Sequence, residues 1–326
     1  ASATKAVGKN SNVAFVFSGQ GPQWRDMGKQ LYSSSTVYQN AVDECDKLFT
    51  QLSGWSLLEK WEELTEDQIH EPAYAQPGLF FLQIGLLRLY QEKGVKPTSV
   101  VGHSMGEVAS FYAAGVISFQ DAIKVVYGRS SLQQKTVGHG NMLAVGLSKE
   151  KCEEMIISKY PTTELASINS PNSVTLAGSL DVLEQISKDL TADKVFNRIL
   201  RGKCAFHSSS QEMIKEETIQ YLSSVEYRQP SIPLYSTVTG SLYDQNSQEY
   251  WWRNIRHAVS FQSAVENMIA DGNECYVELG PHPVLTSSII ECSQGKDLVC
   301  ITAMKRQTQE DRVFTESLAQ LYEFGA

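Results

Sequence analysis

The chain has 326 residues and a mass of 36.3 kDa, which is enough to bury a large core and to form two subdomains. Its net charge of −9 provides no broad basic field for phosphate groups, so the sequence argues against a nucleic-acid partner. The most apolar run, residues 78–87, is about half as long as a membrane span, so no membrane segment is predicted.

The predicted elements up to residue 140 form the first part of a large α/β subdomain, after a polar N-terminal linker at 1–11. Apolar spacing predicts, in chain order, a strand at 13–19, helices at 38–49 and 77–94, a strand at 98–103 and a helix from Ser104. Strands that alternate with helices indicate a mostly parallel sheet covered on both faces.

The order of predicted strands and helices changes between residues 141 and 203. The predicted elements there are a strand at 142–148, a helix at 149–160, strands at 165–169 and 174–178, a helix at 179–190 and a strand at 195–201. This βαββαβ order is the ferredoxin-like pattern. It predicts a self-contained subdomain inserted into the larger α/β body.

The second part of the large α/β subdomain is predicted to span residues 204–302. It contains three further strand-like runs, at 233–240, 274–280 and 298–303. The remaining segment, 303–326, is predicted to be a C-terminal linker helix whose apolar face docks on the body.

The six cysteines are scattered without a CxxC pair, and a chain of this length needs no disulfides to stabilise its core. We therefore expect reduced thiols and a cytoplasmic location. No metal site is predicted, because the sequence contains no HExxH motif and no cluster of histidines and acidic residues.

The motif Gly102-His103-Ser104-Met105-Gly106 follows a predicted strand and precedes a predicted helix. A nucleophile elbow has this context, because the two glycines allow a sharp turn and the serine hydroxyl then projects at a helix N-terminus. The alternative is a serine N-cap with glycines that permit close packing. The context favours a nucleophile.

A nucleophilic serine needs a base, and six histidines compete for that role. His207 follows the last strand of the insert and precedes a predicted helix, at the junction where a cleft is expected. By sequence alone any one of the six is more often a structural histidine than a base. His207 is the favoured candidate, and the residues alone leave the other five open: His70, His103, His139, His257 and His282.

A family resemblance adds to this interpretation. The segments FVFSGQGPQW, QPGLFFLQIGLL, VVGHSMGEVAS, YGRSS, INSPNSVTLAG, AFHS and VELGPHPVL stand in the order found in malonyl-CoA:acyl-carrier-protein transacylases. The match covers residues 12–302 and most resembles acyltransferase domains of type I polyketide and fatty-acid synthases. The resemblance implies a hydrolase-like α/β body with a ferredoxin-like insert.

The resemblance also implies roles for individual residues. Ser104 matches the family nucleophile and His207 its general base, and the backbone N–H groups of Gln20 and Met105 match the oxyanion hole. Asn254 matches the residue whose backbone carbonyl orients the histidine in place of a triad carboxylate.

Arg129 lies in a predicted helix, where an arginine is by itself at least as often a surface residue. It matches the family arginine that binds the substrate carboxylate. A guanidinium can hold a carboxylate through two parallel N–H bonds, which suits a malonyl group and which a simple esterase does not require.

The expected substrate is malonyl-CoA. Cys204-Ala205-Phe206-His207 matches three of the four positions of the HAFH segment of malonyl-selective members, and Cys204 departs from it. A ring at Phe206 would fill the space of an α-methyl group, although one methyl group discriminates by only about 1–3 kcal/mol. Met105 favours the same choice.

The expected partners are an acyl-CoA donor, an acyl carrier protein that brings a phosphopantetheine thiol, and neighbouring synthase domains such as a ketosynthase. No retained cofactor is expected. Four cations could receive CoA phosphates or carrier carboxylates, although the solvated face of a strand would equally explain them: Lys194, Arg198, Arg201 and Lys203.

Two other functions remain open. A serine esterase or thioesterase would share the elbow but would need a triad carboxylate and would give Arg129 no role. A catalytically idle scaffold domain of a synthase would not need serine, histidine and arginine together.

Overall fold

The computed structural model describes residues 12–244 and 249–326, so the predicted linker at 1–11 lies outside the described residues. The strands, numbered in chain order, are β1 Val13–Phe17, β2 Ser99–Gly102, β3 Asn141–Val145, β4 Glu164–Ser170, β5 Ser173–Gly178, β6 Asn197–Ile199, β7 Leu234–Ser236, β8 Ser241–Leu242, β9 Val259–Ser260, β10 Cys275–Leu279 and β11 Val299–Thr302.

The helices, also numbered in chain order, are α1 Lys29–Ser34, α2 Thr36–Ser53, α3 Leu57–Trp61, α4 Pro72–Glu92, α5 Gly106–Ala113, α6 Phe119–Gln134, α7 Lys149–Cys152, α8 Leu180–Ala192, α9 Lys215–Leu222, α10 Tyr250–Arg256, α11 Phe261–Ala270, α12 Thr286–Cys292 and α13 Glu310–Phe324. Gln68–His70 and Ser209–Ile214 form 3₁₀ turns, and α7 continues as a π-helical turn to Ile157.

The larger sheet has the strand order β11-β10-β1-β2-β7-β8 within the described residues. Its first five strands are parallel, and β8 pairs antiparallel with β7. Alternate residues of the central strand β1 face opposite sides of the sheet: Phe15 and Phe17 pack in the cluster that includes α4 and α6, and Ala14 and Val16 in the cluster that includes α11 and α12. The prediction of a mostly parallel sheet covered on both faces is confirmed.

The insert forms a second sheet with the strand order β6-β3-β5-β4, in which neighbouring strands are antiparallel. With α7 and α8 this gives the predicted βαββαβ connectivity. The insert is not self-contained, however. The body contributes β9, which pairs parallel with β4 through Ser167 and Val259. Sequence periodicity missed this strand because it has only two residues.

All six cysteines are free thiols. Within the ranges 12–244 and 249–326, none of the helices combines the length and the apolar character needed to cross a bilayer.

The C-terminal helix docks on the body, as its apolar spacing predicts. Its first residue, Glu310, is 1% exposed and accepts hydrogen bonds from the backbone N–H groups of Gly28, Gln30 and Leu31 at 2.8, 3.0 and 3.0 Å. These N–H groups lie at the start of α1, whose N-cap is a glycine and provides no side-chain acceptor. Glu310 therefore caps α1 from a distant part of the chain.

Replacing Glu310 with alanine should lower the free energy of unfolding by about 2–3 kcal/mol, because three backbone N–H groups, two of them in buried hydrogen bonds, lose a charged acceptor. Urea denaturation measures the loss. Glu316→Ala on the same helix is the matched control, since Glu316 is exposed and pairs only with Arg312 among the described residues. Equal losses in the two variants would contradict the capping role.

Candidate active site

The nucleophile elbow is built by two glycines that cannot be replaced. An added Cβ on Gly102 would lie 2.2 Å from the backbone nitrogen of Glu107, and one on Gly106 would lie 2.2 Å from the carbonyl oxygen of Phe17. Ser104 between them has φ 53°, a left-handed conformation that is unusual for serine. The turn from β2 into α5 therefore holds the serine in a strained conformation in which its side chain is partly exposed.

Ser104 is not an N-cap. Met105 precedes α5, and no side chain caps that helix N-terminus. The hydroxyl Oγ instead lies 2.7 Å from Nε2 of His207 and 3.1 Å from Nη2 of Arg129. The structure thus brings Ser104 together with Arg129, 25 positions further along the sequence, and with His207, 103 positions further along.

His207 is oriented by a backbone carbonyl. Its Nδ1 lies 2.9 Å from the carbonyl oxygen of His257, which can only accept, so Nδ1 carries the proton. Nε2 then presents its lone pair to the hydroxyl of Ser104, which is the arrangement that a general base requires.

The predicted acceptor, the backbone of Asn254, is the weaker of two acceptors. The 2.9 Å hydrogen bond from Nδ1 goes to the carbonyl of His257, and the backbone carbonyls of His257 and Asn254 both raise the pKa of His207. The side chain of Asn254 instead donates to the carbonyl of Ser104 at 3.1 Å and to Glu107 at 2.8 Å. The prediction named the right helix, α10, but the last turn of that helix decides which carbonyl reaches the imidazole.

The pKa of His207 is lowered to about 3. Burial is the main cause, followed by the positive charge of Arg129 and by His103, while the carbonyl of His257 acts in the opposite direction. His207 is therefore neutral at physiological pH and able to accept a proton.

The other five histidines have different surroundings. Among the described residues none of their imidazole rings hydrogen-bonds to the hydroxyl of Ser104: His103 pairs with Asn169, His70 with Gln23, and His282 with the backbone of Arg306, while His139 is exposed and His257 contributes its carbonyl.

Arg129 is buried, which excludes the interpretation as a surface arginine. Its side chain is 2% exposed, Nη1 donates to Oε1 of Gln76 at 3.1 Å, and Nε is buried without a hydrogen-bond partner in the described part of the chain. No described carboxylate lies within ion-pair distance of it. Burial lowers the pKa of Arg129 to about 9, partly offset by Glu107, so the guanidinium stays charged at neutral pH. A buried cation without an anion beside the serine suits an anionic ligand.

The oxyanion-hole candidates lie on both sides of the serine. Phe17 at the end of β1 pairs with Gly102 at the end of β2, so the loop after β1 runs past the elbow. An added Cβ on Gly19 would lie 3.5 Å from the Cβ of Ser104. In residues 12–244 and 249–326 the backbone N–H groups of Gln20 and Met105 have no acceptor. Both are thus available to an oxyanion on a bound substrate.

Glu107 is a residue that sequence reasoning missed. It is fully buried behind the elbow and accepts hydrogen bonds from the backbone and hydroxyl of Thr237 and from the side chains of Tyr250 and Asn254. Burial raises its pKa to about 7, against these hydrogen bonds. It does not contact His207, so the triad carboxylate expected for an esterase is not found in the described residues. Its signal in the sequence was a glutamate that is the one charged residue of the elbow helix.

A chain of glutamine side chains was also missed. Gln76 joins Arg129 to the loop after β1 through Gln20 and continues to Gln133, which donates to Gln211. Gln211 donates to the carbonyl of Ala205, beside His207. The arginine, the oxyanion loop and the histidine loop are therefore tied together by one buried network.

The remaining predicted residues lie around this centre. Phe206 is partly buried next to His207, and Cys204 is buried with its thiol near Thr136, where burial raises its pKa to about 11. The four cations of the possible docking site are exposed on or beside β6, the edge strand of the insert: Lys194, Arg198, Arg201 and Lys203.

An open cleft of about 600 Å³ leads to His207 between the insert and the body. Its walls include Glu164 from β4 on one side and Trp252 and Arg256 from α10 on the other. No group of three or more His, Cys, Asp or Glu side chains in the described ranges is placed to hold a metal ion.

Known proteins resemble this chain in sequence and in fold. The family model described as "Acyl transferase domain" matches residues 14–325. Probable polyketide synthases 17 and 22 of Dictyostelium discoideum are 38% and 36% identical, over 98% and 97% of this chain. The chain spans only 13% of the length of each of these relatives.

Solved structures of acyltransferase domains have the same fold. The domain from module 8 of the salinomycin polyketide synthase superposes with a TM-score of 0.91 at 31% identity, over 97% of this chain and 76% of that one. A loading acyltransferase from the avermectin modular polyketide synthase gives 0.90 at 30% identity, over 95% of this chain and 100% of that one.

Proposed function

This chain belongs to the acyl transferase domains of polyketide synthases, and from that premise we propose that it transfers a malonyl group from CoA to the phosphopantetheine thiol of an acyl carrier protein. The observation that carries the proposal is Arg129, a buried guanidinium 3.1 Å from the Oγ of Ser104 with no carboxylate partner among the described residues. A malonyl ester on Ser104 would bring a free carboxylate to that cation.

The first half-reaction forms an acyl-enzyme. Nε2 of His207 takes the proton of Ser104 as Oγ attacks the thioester carbon. The N–H groups of Gln20 and Met105 donate to the oxyanion of the tetrahedral intermediate. The C–S bond then breaks, and the CoA sulfur leaves with the proton that His207 returns.

The second half-reaction reverses these steps with another thiol. The carrier thiol gives its proton to His207 and attacks the ester carbon, and Ser104 regains a proton as the C–O bond breaks. Arg129 holds the malonyl carboxylate throughout, so the acyl group keeps its position while CoA and the carrier exchange. No bound cofactor takes part, since each substrate brings its own pantetheine arm.

The carrier, a ketosynthase and other synthase domains are proposed partners, because the relatives are much longer than this chain. The exposed cations on or beside β6 offer a charge-complementary surface for an acidic carrier.

Mass spectrometry of the intact protein after exposure to malonyl-, methylmalonyl- and acetyl-CoA tests the proposal. We expect malonyl adducts at Ser104 that free pantetheine removes faster than water does. Hydrolysis that outpaces transfer to the thiol would indicate a thioesterase, and no adduct with any donor would indicate an idle domain.

Phe206→Ser should raise the use of methylmalonyl-CoA relative to malonyl-CoA by up to about tenfold, because it opens space for one methyl group. The kcat/KM ratio of the two donors in competition measures the change. Phe196→Ser is the control, since Phe196 is 66% exposed on the insert. An unchanged ratio in Phe206→Ser would show that other residues select the acyl group.

A further inference from the structure

An ion cluster joins the insert to the body beside the catalytic histidine. The guanidinium of Arg256, at the end of α10, binds Oε2 of Glu164 through Nη1 at 3.0 Å and Oε1 of Glu212 through Nε at 2.7 Å. Glu164 begins β4 of the insert, and Glu212 lies in the 3₁₀ turn that follows His207. One side chain therefore bridges the two subdomains.

The second oxygen of Glu164 holds the histidine loop. Its Oε1 accepts a hydrogen bond at 2.6 Å from the backbone N–H of Ser209, two residues after His207. His207 has φ 57°, a conformation that costs a non-glycine residue energy and persists only where its surroundings enforce it. Glu164 is one of the groups that enforce it.

The other end of the cluster fixes the carbonyl that orients the imidazole. Arg256 is directly followed by His257, whose carbonyl accepts from Nδ1 of His207. Two residues further on, Val259 pairs with β4 in the sheet of the insert. Glu164 and Arg256 thus connect the loop that carries the imidazole with the segment that supplies its acceptor.

We propose that Glu164 and Arg256 are positioning residues that keep His207 aligned with Ser104, so that the insert completes the catalytic centre of the body. This inference rests on the proposed roles of Ser104 and His207. The side chains of Glu164 and Arg256 are 33% and 21% exposed to solvent, and ion pairs at such partly exposed sites add little to global stability. Their loss should therefore change the reaction rate more than the stability of the fold.

The test is the rate at which a fluorophosphonate labels Ser104, because labelling needs the aligned Ser104 and His207 but no CoA, malonyl or carrier binding. Arg256→Gln should slow labelling and the kcat of acyl transfer about tenfold, since small misplacements of a catalytic group are costly. The KM for the acyl donor and the far-UV circular dichroism should stay unchanged.

Glu164→Gln is the second variant, because its amide oxygen can still accept from Ser209 while the ion pair with Arg256 is lost. It should slow labelling less than Arg256→Gln, and the double variant should be no slower than Arg256→Gln. If Arg256→Gln does not fold, Glu164→Gln decides the question.

Arg312→Gln is the matched control. Arg312 binds Glu316 through Nε at 2.7 Å, the same atom and distance as in the pair of Arg256 and Glu212, but on the exposed face of α13. It should label as fast as wild type. Wild-type labelling rates in Glu164→Gln and Arg256→Gln, or losses confined to KM, would overturn the inference. Labelling that persists in Ser104→Ala would instead refute the proposed nucleophile.

Discussion

His207→Ala should lower the rate of malonyl transfer about 100-fold or more, because it removes the proposed general base. Nε2 of His207 is 2.7 Å from the Oγ of Ser104, and the other group on that oxygen, Arg129, can only donate. Nothing else that the structure describes at the hydroxyl can accept its proton. Single-turnover acylation with malonyl-CoA measures the loss, and the Ser104→Ala variant, which lacks the proposed nucleophile, gives the background signal.

Two controls separate catalysis from folding in this experiment. Added imidazole should partly restore acylation in His207→Ala by occupying the vacated space, and it should not restore Ser104→Ala. His139→Ala removes an exposed histidine and should transfer at the wild-type rate. Near-normal transfer in His207→Ala would assign proton transfer to another group.

Arg129→Ala should reverse the preference between malonyl and acetyl donors. The malonyl carboxylate would be left partly desolvated without a partner, and losing one side of such a pair costs roughly 2–5 kcal/mol, or about 30- to several-thousand-fold in kcat/KM. Acetyl transfer should persist or increase, because an acetyl group has no carboxylate and leaves the wild-type guanidinium unpaired.

The measurement is the ratio of acetyl to malonyl loading on Ser104 and onward to a pantetheine thiol. Arg129→Lys should give an intermediate ratio, since an ammonium keeps the charge but not the two parallel N–H bonds. Malonyl and acetyl loading that fall equally in Arg129→Ala would mean that Arg129 only supports the structure, for example through its hydrogen bond to Gln76.

The family resemblance read from the ordered motifs is confirmed, and so is the α/β fold, because both depend on local sequence. The period of apolar residues dictates strands and helices within windows of about ten residues. The elbow is equally local: Gly102 and Gly106 lie within two residues of Ser104, and each is in a contact that admits no Cβ.

The family resemblance identified the site histidine and arginine, which residue types alone could not single out. Six histidines competed as the base, and helix periodicity could not distinguish a buried Arg129 from a surface one. Motif order selected His207 and Arg129, and both lie at the hydroxyl of Ser104 in the structure. Their catalytic and binding roles stay predictions for the experiments above.

Only the tertiary structure decided which distant groups meet. The acceptor for His207 is the carbonyl of His257, a choice set by where α10 ends against the insert. The partners of Glu107 and of the glutamine chain come from separate elements, and β9 joins the insert through a pairing of two residues. Glu164 and Arg256 stand 92 positions apart. No local pattern encodes such contacts, because they arise when whole elements pack and fix one another's register.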